Sequence, residues 1–391
     1  MVHRSMIKEV DISELHVGHF VVDIAQQENQ FTLTQSGHIK SDLVIKNMVA
    51  KGVQSILIDT SKTKVIKGNS EQDIKKSPII MDVYKAKEIF NQSKSIQKKI
   101  FSDAQNGKPL DLSPVEEITD KTIDEIFKNP DALACVINIR NTDEYLLEHS
   151  VSVSVLITIF ARFLKIERPI VQQLSVGAFL HDVGKIMVPE KILNKPGKLT
   201  DDEFTTMKTH VNHSIDIIQN TPGISELSLE VAALHHEKLD GNGYPFNIPG
   251  EKISTYGRMI SICDIFDALT ANRCYKDGYS HIKAFSILRS LAESNHLDQR
   301  LVNLFIKCMG VYPVGSLVEL NSNKVAIVEQ RNLEDPTNPK VRSFYNSKQH
   351  NYVMTEDIDL AKHNDFIVKG VRADDFDLDM NKIIEFLLME G

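Results

Sequence analysis

The residues best suited to chemistry in this chain are histidines and aspartates that follow apolar helical segments. The clearest case is the stretch 170–185, IVQQLSVGAFLHDVGK, in which apolar residues at helical spacing run directly into His181 and Asp182. A buried charge is stable when it is paired or bound to a metal ion. Two interpretations are therefore open here: His181 caps the helix while Asp182 pairs with Lys185, or both side chains bind metal.

Further side chains of this kind follow at or near the ends of other apolar helical segments. Together they make five imidazoles and two carboxylates: His149, His181, Asp182, His210, His235, His236 and Asp264. A single ion cannot use seven such ligands, whereas two ions that share a carboxylate can, with positions left for water and substrate. We expect Asp182 to be the shared ligand, because its neighbour His181 would bind one of the two ions.

The chemical type of these ligands constrains the metal. No cysteine belongs to the set, which argues against a structural zinc–thiolate site, and mixed histidine and aspartate ligation suits iron, manganese or another first-row divalent ion. His149 or His210 alone would be interpreted as a core histidine. The tandem pair at 235–236 is harder to place in a core, because successive helical residues point roughly 100° apart.

The residues after the tandem pair form a turn-rich segment, LDGNGYP, at 239–245. Its glycines and proline predict a loop whose backbone can approach a ligand closely, and Tyr244 offers a ring face or a hydroxyl. We expect Glu237 to orient one of the ligating imidazoles, as metal-bound histidines usually require. His213 shares a helical face with His210, and we interpret it as structural.

The composition is that of a globular protein with more than one domain. A chain of 391 residues, 42% apolar and 25% charged, is too long for one ordinary core. The net charge of −8 argues against a broad nucleic-acid surface. The apolar run at 151–160 is too short to span a bilayer, and the N-terminus lacks a secretory signal. Four cysteines without metal-type spacing indicate reduced core thiols and a cytoplasmic location: Cys135, Cys263, Cys274 and Cys308.

Local patterns divide the chain into four parts, of which the first two precede the candidate ligands. Residues 1–66 contain strand-like runs at 20–24 and 55–60 with a helical pattern at 41–52 between them, which predicts a small α/β or β-rich domain. Residues 67–112 are predicted to be a lysine-rich linker followed by a helix over about 79–103. We interpret these lysines as a solvated surface, since arginine and interleaved aromatic residues are missing.

The remaining two parts carry the candidate ligands and an appended sheet. Residues 113–310 read as an all-α domain, with capping boxes at 113–116 and 200–203 and further helices at 226–236 and 258–271. Residues 311–391 are predicted to be a β-rich extension. Its strands are SLVEL, KVAIVEQ and KVRSFYN, and its terminal helix covers 379–389.

The helical domain resembles the HD-GYP family, metal-dependent phosphodiesterases of cyclic di-GMP. The likeness runs from Asp143 to Met309 and is carried by four motifs: HS at 149–150, HDVGK at 181–185, HHEKLDGNGYP at 235–245 and DIFDALTANRCYK at 264–276. Residues 1–66 and 311–345 also resemble elements that often flank this domain in one bacterial subgroup. The resemblance therefore implies an all-α HD-type catalytic domain between two smaller elements.

The resemblance also implies a role for each matching residue. All seven candidate ligands would bind metal, Lys185 would lie near the metals, and Arg273 and Lys276 would contact substrate phosphate. Arginine can hold a phosphate through two hydrogen bonds and lysine acts as a point charge beside it. The loop expected to shape the guanine side of the pocket contains Gly243, Tyr244 and Pro245.

One position departs from the family pattern. Members with three metals carry a glutamate four residues before the position of His149, and Tyr145 stands there in this chain. We therefore predict two divalent ions, iron or manganese.

The expected activity is hydrolysis of cyclic di-GMP to linear pGpG, GMP or both, by water activated by two metal ions. Asp182 and Lys185 are the expected catalytic residues, with Lys185 polarising the phosphate or assisting proton transfer. Two alternatives stay open: a 3′3′-cyclic GMP-AMP phosphodiesterase, and a catalytically weak receptor or scaffold for cyclic di-GMP. The expected partner is a cyclic dinucleotide rather than a nucleic-acid polymer or a membrane, with a homodimer or a signalling protein as a further possibility.

Overall fold

The computed structural model describes residues 7–27, 36–39, 45, 48–49, 52–63, 78–138, 145–271, 278–332, 334–380 and 382–383. The described residues up to 63 form one compact unit, and those from 78 onward form a second.

The first unit contains a four-stranded antiparallel sheet. Its strands are β1 (Ile7–Asp11), β2 (Phe20–Gln27), β3 (Gly37–His38) and β4 (Val53–Asp59), in the order β1-β4-β2-β3. Apolar side chains on β1, β2 and β4 form its core, among them Val10, Val21 and Ile56. The strands predicted at 20–24 and 55–60 are confirmed as β2 and β4. The helix predicted at 41–52 falls largely outside the described residues.

The second unit is built from helices, followed by a sheet. The helices are α1 (Pro78–Gln105), α2 (Ser113–Lys128), α3 (Pro130–Ile137), α4 (Tyr145–Phe163), α5 (Arg168–Leu180), α6 (Glu190–Leu193), α7 (Asp201–Gln219), α8 (Glu226–Leu234), α9 (Thr255–Thr270), α10 (His281–Glu293) and α11 (Gln299–Met309). The helices predicted over 79–103, 226–236 and 258–271 are confirmed as α1, α8 and α9.

Helix α4 lies at the centre of the helical part. Its residues 148–161 are all buried, and it contacts α1, α2, α3, α5, α9 and α11. Two of its buried hydroxyl groups donate to backbone carbonyls: Ser154 to the Ser175 carbonyl at 2.8 Å and Thr158 to the Ser154 carbonyl at 2.7 Å. The segment Leu146–Phe163 is apolar and long enough to cross a membrane, but 78% of it is buried inside this unit. It is therefore a core helix here.

The two predicted capping boxes have different outcomes. At the start of α7, the Thr200 hydroxyl accepts from the Glu203 N–H and Glu203 accepts from the Thr200 N–H, so this prediction is confirmed. The prediction at 113–116 was wrong. Ser113 is already the first helical residue, no side chain caps α2, and Asp111 accepts the Ser113 N–H at 3.1 Å.

The C-terminal sheet has five antiparallel strands in the order β8-β7-β6-β5-β9. They are β5 (Leu317–Leu320), β6 (Lys324–Gln330), β7 (Lys340–Asn346), β8 (Asn351–Asp359) and β9 (Ile367–Val371). The three predicted strands are confirmed as β5, β6 and β7. Arg331, directly after β6, pairs with Asp131 of α3 at 2.6 Å and so joins the sheet to the helices. The helix predicted over 379–389 lies mostly outside the described residues.

Candidate metal centre

The seven candidate ligands meet at one point in the helical part of the second unit. They are supplied by five helices: His149 by α4, His181 and Asp182 by the end of α5, His210 by α7, His235 and His236 by the end of α8, and Asp264 by α9. Six of the seven residues are buried, and the side chain of His236 is 24% exposed. Within this cluster, ligand atoms fall into two groups that each lie within 4.8 Å: His149, His181 and Asp182, and His210, His235 and His236.

The end of α5 places two adjacent side chains in different directions. His181 keeps helical dihedral angles, whereas Asp182 leaves the helix with φ −104° and ψ 10°. The following 3₁₀ segment, Val183–Met187, then packs directly against α7. A Cβ atom on Gly184 would lie 2.2 Å from the His210 carbonyl oxygen, so only glycine permits this approach. The close packing brings Asp182 next to His210.

Three imidazoles are oriented by carbonyl groups one turn earlier in the chain. The Nδ1 atoms of His181, His210 and His235 lie 2.6–2.7 Å from the carbonyl oxygens of Ala178, Met207 and Ala232. Because a carbonyl oxygen only accepts, each Nδ1 carries the proton. The Nε2 atom of each ring is left to face the centre, and in the neutral ring this is the atom that can bind a metal ion.

Asp182 lies between the two groups of histidines. Its Oδ2 atom is 3.3 Å from Nε2 of both His149 and His181. Its Oδ1 atom is 3.3 Å from Nε2 of His210 and 3.8 Å from Nε2 of His235. Each carboxylate oxygen therefore faces a different pair of imidazoles.

Asp264 also faces both groups. Its Oδ1 atom lies 3.0 Å from Nε2 of His149, and its Oδ2 atom lies 3.6 Å from Nδ1 of His236. His236 thus differs from the other histidines, because it turns Nδ1 rather than Nε2 toward the carboxylate.

Asp267 is a member of this centre that the sequence interpretation missed. Its Oδ2 atom accepts the Nδ1 proton of His149 at 2.7 Å, and both residues are 1% exposed. The only signal in the sequence was its position three residues after Asp264, on the same face of α9.

Lys185 contacts the centre through Asp182. Its ammonium group forms an ion pair with Asp182 Oδ2, and its side chain is mostly buried. The pairing of Asp182 with Lys185, which was one of the two sequence interpretations, is therefore present. It involves the same carboxylate that faces four imidazoles.

The loop at 243–248 folds back over the end of α8. The Tyr244 ring packs against His236 with centroids 4.6 Å apart and the planes tilted by 36°, and a Cβ atom on Gly243 would lie 2.4 Å from the Glu237 Cα atom. The prediction that Glu237 orients an imidazole was wrong. Its buried carboxylate instead accepts the backbone N–H groups of Phe246, Asn247 and Ile248 at 2.7–3.3 Å, because the loop passes directly over it.

The two carboxylates among the candidate ligands, Asp182 and Asp264, favour their ionised form. Burial raises the pKa of Asp182, but His181 and Lys185 lower it by more, so that it lies well below its usual range. Burial also opposes ionisation of Asp264, and contacts with His149 and His181 again hold its pKa well below the usual range. These two candidate ligands therefore favour their charged form in a buried setting.

Two imidazoles of the second group, His235 and His236, favour their neutral form. Burial lowers the pKa of His235 well below its usual value and that of His236 to about 3. His181 differs, because burial lowers its pKa but Asp182 raises it by more. Within the described residues, the buried atoms Asp182 Oδ1 and His181 Nε2 make no hydrogen bond. Neutral imidazoles, two carboxylates and these unsatisfied atoms fit divalent cations.

Some predicted features lie outside the described residues. Arg273 and Lys276, the expected phosphate contacts, fall there, as does Cys274. The other cysteines, Cys135, Cys263 and Cys308, are buried free thiols, as predicted.

Comparison with protein families identifies the helical part and its flanking region. A model described as "HD domain" matches residues 135–301, and a "domain of unknown function (DUF3391)" matches residues 7–115. The second match includes α1, which packs within the second unit. Neither match ends at residue 66 or 112, so the domain boundaries predicted at these two positions remain predictions.

Similarity to individual known proteins narrows the family assignment. It is 29% identical over 374 residues to a cyclic di-GMP phosphodiesterase of Pseudomonas aeruginosa, covering 91% of this chain and 90% of that protein. It is 30% identical over 257 residues to a cyclic di-GMP phosphodiesterase of Thermotoga maritima, covering 64% and 68%. The solved HDG"Y"P protein from Bdellovibrio bacteriovorus shares the fold, with a TM-score of 0.50 and 17% identity over 77% of this chain and 98% of that one. The chain belongs to the HD-GYP family of HD-domain proteins.

Other relatives have a different named specificity. Three Vibrio cholerae proteins named 3′3′-cGAMP-specific phosphodiesterases are 31–40% identical over 129–197 residues. The chain spans less than half the length of each of them.

Proposed function

We propose that this protein hydrolyses cyclic di-GMP with two bound divalent metal ions. The observation that carries the proposal is the position of Asp182, whose two oxygens face separate pairs of imidazoles at 3.3–3.8 Å. A carboxylate in this position can be shared by two ions. The names of the Pseudomonas and Thermotoga relatives support cyclic di-GMP as the substrate.

The ligands divide between the two ions around Asp182. His149, His181 and Asp264 would complete the first set, and His210, His235 and His236 the second. When bound, such ions supply an activated water molecule and neutralise charge on the phosphate. Ligation by nitrogen and oxygen alone favours iron or manganese. Because Tyr145 stands where members with three metals have glutamate, we propose two ions.

The chain's own residues orient the substrate around this centre. Lys185, held against Asp182, would place a positive charge next to the scissile phosphate. Gly243, Tyr244 and Pro245 would shape the base side of the pocket, since the Tyr244 ring covers His236. Arg273 and Lys276 are proposed as phosphate contacts from the family motif. The products would be pGpG, GMP or both.

The second candidate is hydrolysis of 3′3′-cyclic GMP-AMP, which is favoured by the names of the three Vibrio relatives. A role as a catalytically weak receptor is less well supported, because all seven ligand positions hold competent residues. We also propose a cytoplasmic location, a domain division at 66, 112 and 310, and association with a second copy or a signalling protein.

Turnover assays on metal-analysed protein test the proposal. Purified full-length protein should contain about two ions per chain and cleave cyclic di-GMP faster than 3′3′-cyclic GMP-AMP, with products separated by chromatography. Faster cleavage of the mixed dinucleotide would favour the second candidate. Binding without turnover, at full metal occupancy, would favour the receptor role. A content of three ions would show that the interpretation of Tyr145 is wrong.

A further inference from the structure

A row of aromatic rings leads from the metal centre to the surface. The Tyr244 ring packs against His236 with centroids 4.6 Å apart. The Phe204 ring meets Tyr244 edge-on, with centroids 6.4 Å apart and an interplanar angle of 86°. Phe204 belongs to α7, and 48% of its surface is exposed although its side chain is large and apolar. Its ring is thus one aromatic neighbour away from a proposed metal ligand and open to solvent.

Phe204 sits on a rigid part of the chain. It follows the capping box of Thr200 and Glu203 in the first turn of α7, and its N–H donates to the Thr200 carbonyl at 2.8 Å. The same helix carries His210 into the centre. A ligand that stacks on Phe204 therefore meets a surface whose backbone is already ordered, so little conformational freedom is lost on binding.

Lys208 supplies a cation at the same place. Its ammonium group lies 5.4 Å from the centroid of the Phe204 ring. Among the described residues, no carboxylate lies within ion-pairing distance of this ammonium, whereas the neighbouring Lys195 is paired with Glu203. An ammonium group only donates hydrogen bonds, so Lys208 is suited to an acceptor on a ligand stacked on Phe204.

We propose that Phe204 and Lys208 form a subsite for one guanine base of the substrate, an inference that rests on the proposed function. A purine has an aromatic face that stacks on Phe204. A guanine edge carries the acceptors O6 and N7, whereas adenine presents an N6 donor beside N7, so the Lys208 ammonium favours guanine. In a cyclic dinucleotide each base is one sugar away from a phosphate. This short separation of base and phosphate matches the position of the Phe204 ring, which is separated from the metal centre by Tyr244.

The experiment compares substitutions at the subsite with a matched aromatic control. Phe204→Ala, Phe204→Leu, Phe204→Trp and Lys208→Met are tested beside Phe366→Ala, which removes a ring of similar exposure (52%) beside β9. Binding is measured by calorimetry with the phosphorothioate analogue of cyclic di-GMP, and turnover with cyclic di-GMP. Turnover of cyclic di-AMP is measured for comparison, and metal content is measured on each preparation.

Phe204→Ala should weaken binding of the analogue and raise KM by about tenfold, because one base–aromatic stack is lost. Phe204→Trp should restore binding and Phe204→Leu should not. Metal content should stay at the wild-type level, and Phe366→Ala should change nothing. Lys208→Met should reduce the preference for cyclic di-GMP over cyclic di-AMP by about fivefold.

The failure of this inference is distinguishable from failure of the proposed function. If the wild type cleaves cyclic di-GMP and Phe204→Ala binds the analogue as tightly as the wild type, the guanine subsite alone is overturned. Full binding of the analogue by Phe204→Leu, in the presence of wild-type cleavage, has the same consequence. Binding that depends on Phe204 in a protein without turnover would overturn the proposed activity and support the subsite. If the wild type neither binds nor cleaves cyclic di-GMP, both proposals are wrong.

Discussion

His149 and Asp267 are 118 residues apart in the chain and share one buried hydrogen bond of 2.7 Å. Because the carboxylate accepts the Nδ1 proton, the Nε2 atom of His149 is left facing Asp182 and Asp264. Carboxylates in this position fix the orientation of metal-bound imidazoles. Asp267 thus has the orienting role that the sequence interpretation had assigned to Glu237.

Replacing Asp267 should therefore weaken metal binding without removing a ligand. We expect Asp267→Ala to lower metal affinity by about 10- to 100-fold, as measured by chelator competition. Asp267→Asn should be milder, because its amide oxygen can still accept the His149 proton. Unchanged affinity in Asp267→Ala would show that the packing of α4 alone orients His149.

The shared position of Asp182 leads to a second prediction. Asp182→Asn keeps the shape of the side chain but removes the charge that two cations would share. We expect loss of at least one metal ion and of hydrolysis, with the helical circular dichroism retained. Asp216→Asn, at an exposed position of α7, is the control. Near-normal turnover in a folded Asp182→Asn protein would contradict the proposed sharing.

Glu237 should affect substrate binding rather than the metals. Its carboxylate accepts three backbone N–H groups of the loop beyond Tyr244, and truncation would leave these donors unpaired. Glu237→Ala should raise KM for cyclic di-GMP several-fold at unchanged metal content, whereas Glu251→Ala, an exposed residue of the next segment, should not. Loss of metal in Glu237→Ala would instead show that Glu237 contributes to metal binding.

Arg273 tests the phosphate contact implied by the family motif. Arg273→Ala should keep both metals and lower turnover of cyclic di-GMP by about 10- to 100-fold, the usual value of a charge-assisted contact of roughly 1.5–3 kcal/mol. The loss should appear in kcat as well as KM. Tyr244→Ala should mainly raise KM. An Arg273→Ala protein that loses its metals, or keeps its kinetics, would exclude the proposed role.

Asp298 gives a pH-dependent prediction about stability. It caps α11 by accepting the Leu301 N–H at 3.0 Å and pairs with Arg258 at 2.9 Å. Burial opposes its ionisation, but these two contacts lower its pKa below the ordinary value. Its stabilisation is therefore complete above the unfolded pKa of about 3.9 and is lost as the pH falls through the lower folded pKa.

Urea denaturation of wild type and Asp298→Ala measures this effect. We expect the variant to be less stable by about 1–2 kcal/mol from pH 7 to about pH 4.5, because a helix cap and a partly buried ion pair are lost. The difference should shrink below about pH 4. A difference that does not depend on pH across this range would show that the charge of Asp298 contributes nothing.

Several residues that meet at the candidate metal centre were predictable because their signals are local. His181, Asp182 and the tandem pair at 235–236 stand where apolar helical patterns end, so polar groups in these places indicate a site. Asp267 was not predictable in this way, since its partner is supplied by a distant helix. Glu237 was misassigned because its partners, the N–H groups of residues 246–248, depend on how the following loop folds back.

The same contrast between local and distant signals explains which parts of the fold were predictable. The strands β5, β6 and β7 contain short apolar stretches bounded by clear turns, whereas β8 is mostly exposed and carries little apolar pattern. Ser113, Pro114 and Glu116 match a capping box by type. The box does not form, because the chain before α2 already has helical dihedral angles at Leu112.

Three of the imidazoles receive their orientation from a carbonyl group of the helix that carries them. Such contacts span only three residues, so each ring is aligned as soon as its own helix turn has formed. The freedom of these rings is therefore restricted during folding and not when a metal ion arrives. Metal capture then costs little additional ordering entropy, and an ion can leave and be replaced while the histidine cage keeps its shape.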